Sequence, residues 1–226
     1  MSENVKSSVV AMGFKRAVAR LAAAAAVFAF AAALAHAATA PQPARLSPDD
    51  KMLVGQIEDY LNGITTVEAG FVQMSAEGRF AKGRLYLQRP GRMRFEYEPP
   101  TPYLLVSDGT WFIYVDQELE QVTYLPLKKT PAHMLLREGF SFSNGLVITR
   151  LEQNISTVRV EVVDVDQPDA GRVTLAFVRQ PLSLKSWTVH DPQGQRIQVT
   201  LVDPRYGNPL DQSLFQFVNS FKKPER

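Results

Sequence analysis

Apolar and polar residues alternate through residues 83–124, and turn-forming residues interrupt the alternation at short intervals. Between Arg92 and Tyr97, for example, Met93, Phe95 and Tyr97 take every second position and charged residues lie between them. Because successive side chains of a strand point to opposite faces, such a segment has one apolar and one charged face. The pattern predicts five short strands joined by tight turns.

One arginine interrupts the apolar face of the second of these rows. Leu85, Leu87 and Arg89 share a side of the strand, and Pro90 ends it. A filled core rarely accepts a charge without a partner, because desolvating the charge costs several kcal/mol. We therefore expect Arg89 at the rim of an apolar cavity, where its five donors can bind carbonyl groups at the ends of covering helices. The alternative is a rim arginine whose stem merely covers apolar surface.

The order of motifs in this region resembles the periplasmic outer-membrane lipoprotein carrier family, LolA. The motifs are G-x-L-x-L-x-R-P-G-x-x-R-F-x-Y-x-x-P, then L-L-V-S-D-G-x-x-x-x-Y, then L-x-Q-V. The resemblance extends from about Leu46 to Phe217, and its specific part lies between Phe71 and Leu136. In that family the arginine of the R-P motif is tied to closure of a lid, which implies a latch role for Arg89.

The resemblance also implies a function and partners. The protein would be a periplasmic chaperone that takes acylated lipoproteins released from the inner membrane by an ABC-type complex. It would shield their acyl chains and deliver them to an outer-membrane acceptor lipoprotein or to the outer membrane itself. The alternative is a periplasmic sensor that binds lipid or acyl chains and regulates a signalling partner, because one fold can carry unrelated functions.

The remaining sequence predicts few helices and many strands. Ser47 is a suitable N-cap with Pro48 at the first helical position, and a helix stripe follows until Asn62-Gly63. Strand alternation returns from Leu146 onward. We expect an α+β, mostly β fold. It would be a strongly curved antiparallel sheet, an open half-barrel of about ten or eleven strands, whose concave face is covered by two or three short helices.

A short helical segment, residues 132–137, carries Met134 and Leu135. It is either a core-packed turn or, as the resemblance implies, a lid over the open face of the sheet. We expect the acyl-chain cavity to be lined by Phe71, Leu85, Leu87, Phe95, Tyr97, Trp111, Met134 and Leu135. The opposing possibility is a barrel whose large side chains fill it, so that it binds nothing.

The first 37 residues have the composition of a secretory signal peptide. Basic residues precede an apolar, alanine-rich run, and Ala35-His36-Ala37 provides small residues before a cut near Ala38. The alternative, a membrane anchor, needs about 20 apolar residues, and this run is shorter. We expect residues 38–46 to form a flexible, proline-containing linker and residues 47–226 to form one carrier-like domain in the periplasm. Because the chain has no cysteine, it cannot be lipidated in the manner of a bacterial lipoprotein.

Composition and motifs exclude several classes of function. The net charge is +2, and removal of the predicted signal peptide takes away four basic residues and one acidic residue, leaving about −1. This balance does not favour nucleic acid. There is no nucleophile elbow, no histidine pair with metal-ligand spacing and no phosphate-binding glycine loop. We therefore expect a monomer that is not an enzyme and uses neither a cofactor nor a metal.

Overall fold

The computed structural model describes residues 41–191 and 195–221. In chain order, helix α1 spans Pro48–Asn62 and helix α2 spans Ala132–Leu136. The strands are β1 (Thr66–Ser75), β2 (Phe80–Gln88), β3 (Arg92–Tyr97), β4 (Tyr103–Asp108), β5 (Trp111–Asp116), β6 (Gln121–Pro126), β7 (Leu146–Gln153), β8 (Thr157–Asp164), β9 (Arg172–Arg179), β10 (Leu182–His190) and β11 (Arg196–Tyr206). Short 3₁₀ turns lie at Leu127–Lys129, Pro168–Ala170 and Gln212–Phe215.

The strands form one antiparallel sheet in the order β6-β5-β4-β3-β2-β1-β11-β10-β9-β8-β7. Hairpins connect the strands, so almost every pair of strands that is adjacent in the sheet is also consecutive along the chain. The exception is the β1–β11 pair, which joins the two halves. Strands β6 and β7 are the two edges, so the sheet is open. The prediction of a mostly β chain with one open antiparallel sheet of about eleven strands is confirmed.

Helix α1 begins and ends where the sequence predicts. The Ser47 hydroxyl accepts from the backbone N–H of Asp50, and the Asp50 carboxylate accepts from the Ser47 N–H, which together form a capping box. Leu53, Ile57 and Leu61 recur every fourth residue and are the buried residues of the helix. Their spacing places them on one stripe of the helix, facing the sheet.

One face of the sheet, called the inner face below, carries the main hydrophobic core. Alternate residues of β1, β2 and β3 are buried on it, and so are the apolar stripe of α1 and most apolar residues of α2. Strands β8 and β9 contribute Val160 and Leu175, which are fully buried. The inner face therefore lies beneath the two helices over much of its width.

Two residues of the predicted linker contact the folded domain. The backbone N–H of Ala44 donates to the carbonyl oxygen of Ile148 in β7 at 2.8 Å. Ala44 and Leu46 pack against the main core. This end of the linker is therefore held against the sheet at Ala44 and Leu46, whereas Gln42, Pro43 and Arg45 are exposed. The predicted signal peptide lies outside the described residues.

No helix in the described part of the chain combines the length and the apolarity needed to span a bilayer.

Candidate functional site

Cross-strand pairing brings the predicted cavity residues of β1, β2 and β3 together on the inner face. Leu85 pairs with Phe95, and Leu87 pairs with Met93. The Phe71 ring meets the Phe95 ring edge to face, with centroids 4.9 Å apart. Phe71 and Leu85 are each 1% exposed. These residues form a continuous apolar surface at the centre of the sheet.

The covering side of this surface is also apolar. Ile57 and Leu61 reach it from α1, while Met134, Leu135 and Leu136 reach it from α2. All five side chains are buried. The short helix thus lies against the inner face with most of its apolar residues inward, which fits both a core-packed turn and a lid.

The space between sheet and helices is nearly filled. An apolar cavity of about 30 Å³ remains there, enough for a water-sized group and too small for an acyl chain. Its lining residues are Leu61, Ile64, Val67, Leu85, Leu87, Arg89, Met93, Leu135, Leu184, Trp187, Leu201 and Tyr206. The side chains of the helices occupy most of the space in which the sequence predicted an acyl-chain cavity.

Arg89 follows the end of β2 and contacts both covering segments. Its Nε donates to the carbonyl oxygen of Leu135 in α2 at 2.8 Å. Its NH1 donates to the carbonyl of Leu61 in the last turn of α1 and, at 3.4 Å, to that of Ile64. The Leu61 and Leu135 carbonyls lie in the last turns of α1 and α2, and Ile64 follows the C-cap of α1. One guanidinium therefore joins α1 and α2 to the sheet.

The charge of Arg89 has no acidic counterpart in the described residues. No carboxylate among them lies within ion-pair distance of the guanidinium, and its hydrogen-bond acceptors are backbone carbonyls. Burial lowers the pKa of Arg89 to about 10, so the group stays charged at neutral pH. Burying a cation without an anion costs free energy that hydrogen bonds offset only in part. The hydrogen bonds to these carbonyls therefore compensate for part of the cost of burying the guanidinium.

The turn after Arg89 forms a second hydrogen bond to α2. The backbone N–H of Gly91 donates to the carbonyl oxygen of Leu136 at 2.8 Å. Gly91 has φ +77°, and a Cβ atom there would lie 2.7 Å from Cα of Gly109. The Ser107 hydroxyl, fully buried, donates to the Gly91 carbonyl at 2.7 Å. This turn is packed between α2 and the β4–β5 turn, and only glycine fits at position 91.

Trp111 does not lie on the inner face. It pairs with Pro126, shares the opposite face with Ile113 and Val115, and is 42% exposed. The neighbouring Phe112 instead packs against the main core. The prediction for Trp111 is wrong because the register pairs the inner-face residue Ser107 with Phe112, so the adjacent Trp111 points to the opposite face.

Two contacts that hold the segment after α2 in place were not predicted from the sequence. Arg137, directly after α2, forms a mostly buried ion pair with Asp164 at 3.0 Å. The Glu58 carboxylate in α1 accepts hydrogen bonds from the Ser141 hydroxyl and the Phe142 N–H. Neither pair lies at a spacing that local periodicity can reveal. They fasten the segment after α2 to the sheet and to α1.

The site is now defined by an apolar inner face, two covering helices and an arginine that joins them. Comparison with known families matches residues 62–218 to the family described as "Outer membrane lipoprotein carrier protein LolA". The match covers well over half of the chain. The chain belongs to this family.

Relatives in this carrier family match most of the chain. The outer-membrane lipoprotein carrier protein of Pseudomonas aeruginosa (strain UCBPP-PA14) is 31% identical over 206 residues, which are 85% of this chain and 90% of the relative. The protein of the same description from Azotobacter vinelandii (strain DJ / ATCC BAA-1303) is 30% identical over 190 residues, 78% of this chain and 86% of the relative. A solved LolA superfamily protein from Nitrosomonas europaea aligns with a TM-score of 0.45 and 10% identity, covering 73% of this chain and 97% of that chain.

Proposed function

We propose that this protein carries acylated lipoproteins across the periplasm, shielding their acyl chains between the inner face and the two helices. The observation that carries the proposal is the Arg89 contact with both helix ends above an almost filled apolar surface. Such an arrangement can take up a long apolar ligand only by opening. Membership of the carrier family supports the same function.

Energetics explain why an opening step is useful. Burial of one methylene stabilises by about 0.8 kcal/mol, so three chains of about 15 methylenes represent roughly 35 kcal/mol relative to water. Reversible complexes do not reach such affinity. In the proposed cycle, ligand binding offsets the loss of packing between helices and sheet. Closure then recovers that packing when the chains leave for a membrane.

The proposed partners follow from this cycle. Cargo would come from an inner-membrane ABC-type lipoprotein-releasing complex and go to an acceptor lipoprotein of the outer membrane or to that membrane itself. The carrier would act in the periplasm as a monomer, without cofactor, metal or catalysis. The sheet would serve as a half-barrel, with Phe71, Leu85, Leu87, Phe95, Tyr97, Met134 and Leu135 against the acyl chains and Arg89 as the latch.

Two measurements test the proposal. Mass spectrometry of protein purified without detergent should detect triacylated lipoprotein bound to a fraction of the molecules. In a two-stage assay, the purified protein should release lipoprotein from inner-membrane vesicles and pass it to outer-membrane vesicles. Free lipid in place of lipoprotein, together with no transfer in either stage, would reject the carrier function and favour a lipid-binding sensor.

A further inference from the structure

The apolar inner face extends beyond the two helices. Several inner-face residues of β4, β5 and β6 are only partly covered, although Ser107 and Asp116 are buried. Leu105 and Phe112 pack on the rim of the core, whereas Leu125 is 44% exposed and Tyr103 is 37% exposed. This part of the face is therefore open to a ligand while the centre is closed.

Three tyrosines form one edge of this open part and are called the tyrosine shelf below. Tyr97, Tyr103 and Tyr114 come from β3, β4 and β5. The ring centroids of Tyr97 and Tyr103 are 6.1 Å apart, and those of Tyr103 and Tyr114 are 5.3 Å apart. The Tyr97 ring also meets Phe71 edge to face at 5.1 Å. The shelf is thus continuous with the centre of the apolar surface.

The shelf lies at the end of the inner face opposite to the latch. Tyr97 pairs with Gly83 of β2, and Arg89 comes directly after the end of that strand, six residues after Gly83. At about 3.3 Å per residue, the two ends are about 20 Å apart. Acyl chains that lie along the inner face between Arg89 and the tyrosine shelf would therefore place the polar group to which they are attached at the shelf.

The chemistry of the shelf selects the type of polar group. Tyrosine combines an apolar ring with a hydroxyl that donates and accepts hydrogen bonds. The inner-face positions of β3, β4, β5 and β6 include no lysine or arginine. Their one acid, Asp116, accepts from the N–H groups of Glu118 and Leu119 and is 8% exposed. A phosphate would find no cation here, whereas uncharged esters and amides would find neutral donors.

Tyr97 donates to the side-chain oxygen of Gln73 at 2.5 Å, which fixes its orientation and leaves its oxygen as an acceptor only. A donor for the ligand must therefore come from Tyr103 or Tyr114. Burial raises the pKa of Tyr97 to about 12 and also raises that of Tyr114. Both groups are therefore protonated and neutral in the periplasmic pH range.

We propose that the tyrosine shelf binds the uncharged, ester- and amide-bearing head of an acylated amino-terminal cysteine. The inference rests on the proposed carrier function and adds to it where the cargo's polar group lies. It also gives a basis for distinguishing lipoprotein from phospholipid. Both ligands have acyl esters, but only phospholipid brings a phosphate that the shelf cannot neutralise.

The test compares Tyr103→Phe, Tyr114→Phe and the double variant with wild type. Tyr124→Phe is the matched control, because Tyr124 is 46% exposed on the outer face of the neighbouring strand. Three probes are titrated: a synthetic triacylated lipopeptide, dipalmitoyl phosphatidylglycerol and a polarity-sensitive apolar dye that reports on the centre of the site. Removing a hydroxyl keeps the ring and its packing, so a general folding defect is not expected.

Each single variant should bind the lipopeptide on the order of threefold to tenfold more weakly, as loss of one hydrogen bond predicts. Dye affinity and the Tyr124→Phe control should be unchanged, and the phospholipid should bind wild type more weakly than the lipopeptide. Equal lipopeptide affinity in wild type and the double variant would overturn the shelf while leaving the carrier function intact. Phospholipid binding as tight as lipopeptide binding would overturn the uncharged-head assignment. Failure of wild type to bind either lipopeptide or dye would overturn the carrier function and the shelf with it.

Discussion

The Nε atom of Arg89 lies 2.8 Å from the carbonyl oxygen of Leu135, and the same guanidinium donates to the carbonyl of Leu61. A residue at the end of one strand therefore holds the ends of both covering helices. The acceptors are uncharged, so the contact depends on the planar fork of the guanidinium more than on its charge. This relationship makes Arg89 the most informative position for mutation.

We expect Arg89→Leu to favour the open, loaded form. Lipoprotein would still be accepted from inner-membrane vesicles, but delivery to the outer membrane would be slow, because closure no longer helps to expel the chains. Arg89→Lys should be intermediate, since an ammonium group cannot reproduce the fork of hydrogen bonds. The two-stage transfer assay scores the two steps separately. Wild-type delivery by a folded Arg89→Leu protein would reduce Arg89 to a rim residue.

Dye uptake should report lid opening directly. Because the cavity holds only about 30 Å³ in the closed form, a dye can enter only after the helices separate. The observed rate in wild type should therefore level off at high dye concentration, at the rate of opening. Arg89→Leu should raise that limiting rate. A rate that stays proportional to dye concentration in wild type would mean that the site needs no opening.

Gly91→Ala should destabilise the fold more than Gly78→Ala. Both glycines have a left-handed backbone, with φ +77° and φ +76°, which costs other residues about 1–2 kcal/mol. A Cβ at Gly78 meets nothing within 4 Å, whereas one at Gly91 meets Gly109 at 2.7 Å. The clash should add about 1–3 kcal/mol to the loss of unfolding free energy. Equal losses in urea denaturation would show that the turn can relax.

Lowering the pH should weaken the packing of α2 through His133. Burial lowers the pKa of His133, the cations Arg137 and Lys128 lower it further, and Asp164 acts in the opposite direction. A histidine with a lowered pKa in the folded state binds more protons when unfolded, so stability falls as the pH drops below about 6.5. The free energy of unfolding should therefore decrease between pH 7.5 and 5.5, and less so in His133→Gln.

His190→Gln provides the comparison for that experiment. Burial also lowers the pKa of His190, so this variant should flatten the pH dependence of stability as well. His190 lies on β10, far along the chain from α2. His190→Gln should therefore leave dye uptake at pH 5.5 unchanged. His133→Gln should slow dye uptake at that pH relative to wild type. Identical uptake in all three proteins would contradict a link between His133 and the lid.

Phe112 and Trp111 should differ in their effect on binding, although they are adjacent. Phe112 packs against the main core, whereas Trp111 lies on the outer face with its ring 6.3 Å from that of Tyr124. We expect Phe112→Leu to weaken dye or lipopeptide binding several-fold and Trp111→Leu to leave it unchanged. A fluorescent dye is the suitable readout, because its signal does not depend on the tryptophan. Loss of binding in Trp111→Leu alone would contradict the strand register.

The sequence pattern was enough to predict a residue's structure wherever its neighbours along the chain determine its environment. The alternation of Met93, Phe95 and Tyr97 predicted a strand. Ser47 before Pro48, and Asn62-Gly63 after an apolar stripe, predicted the bounds of α1. Arg89 on an apolar row predicted a polar contact at a rim. These inferences hold because strand and helix periods repeat over a few residues.

Contacts between distant segments could be decided only by the tertiary structure. The closed cavity depends on how deeply α1 and α2 pack against the sheet, and the Arg137–Asp164 pair joins segments whose separation no period encodes. Trp111 shows the same limit at short range. A shift of one residue at a turn moves a side chain to the opposite face, and turn length is set by packing such as that of Gly91 against Gly109. Sequence alone determined which residues are apolar and periodic, whereas the fold decided which face each one occupies and what covers it.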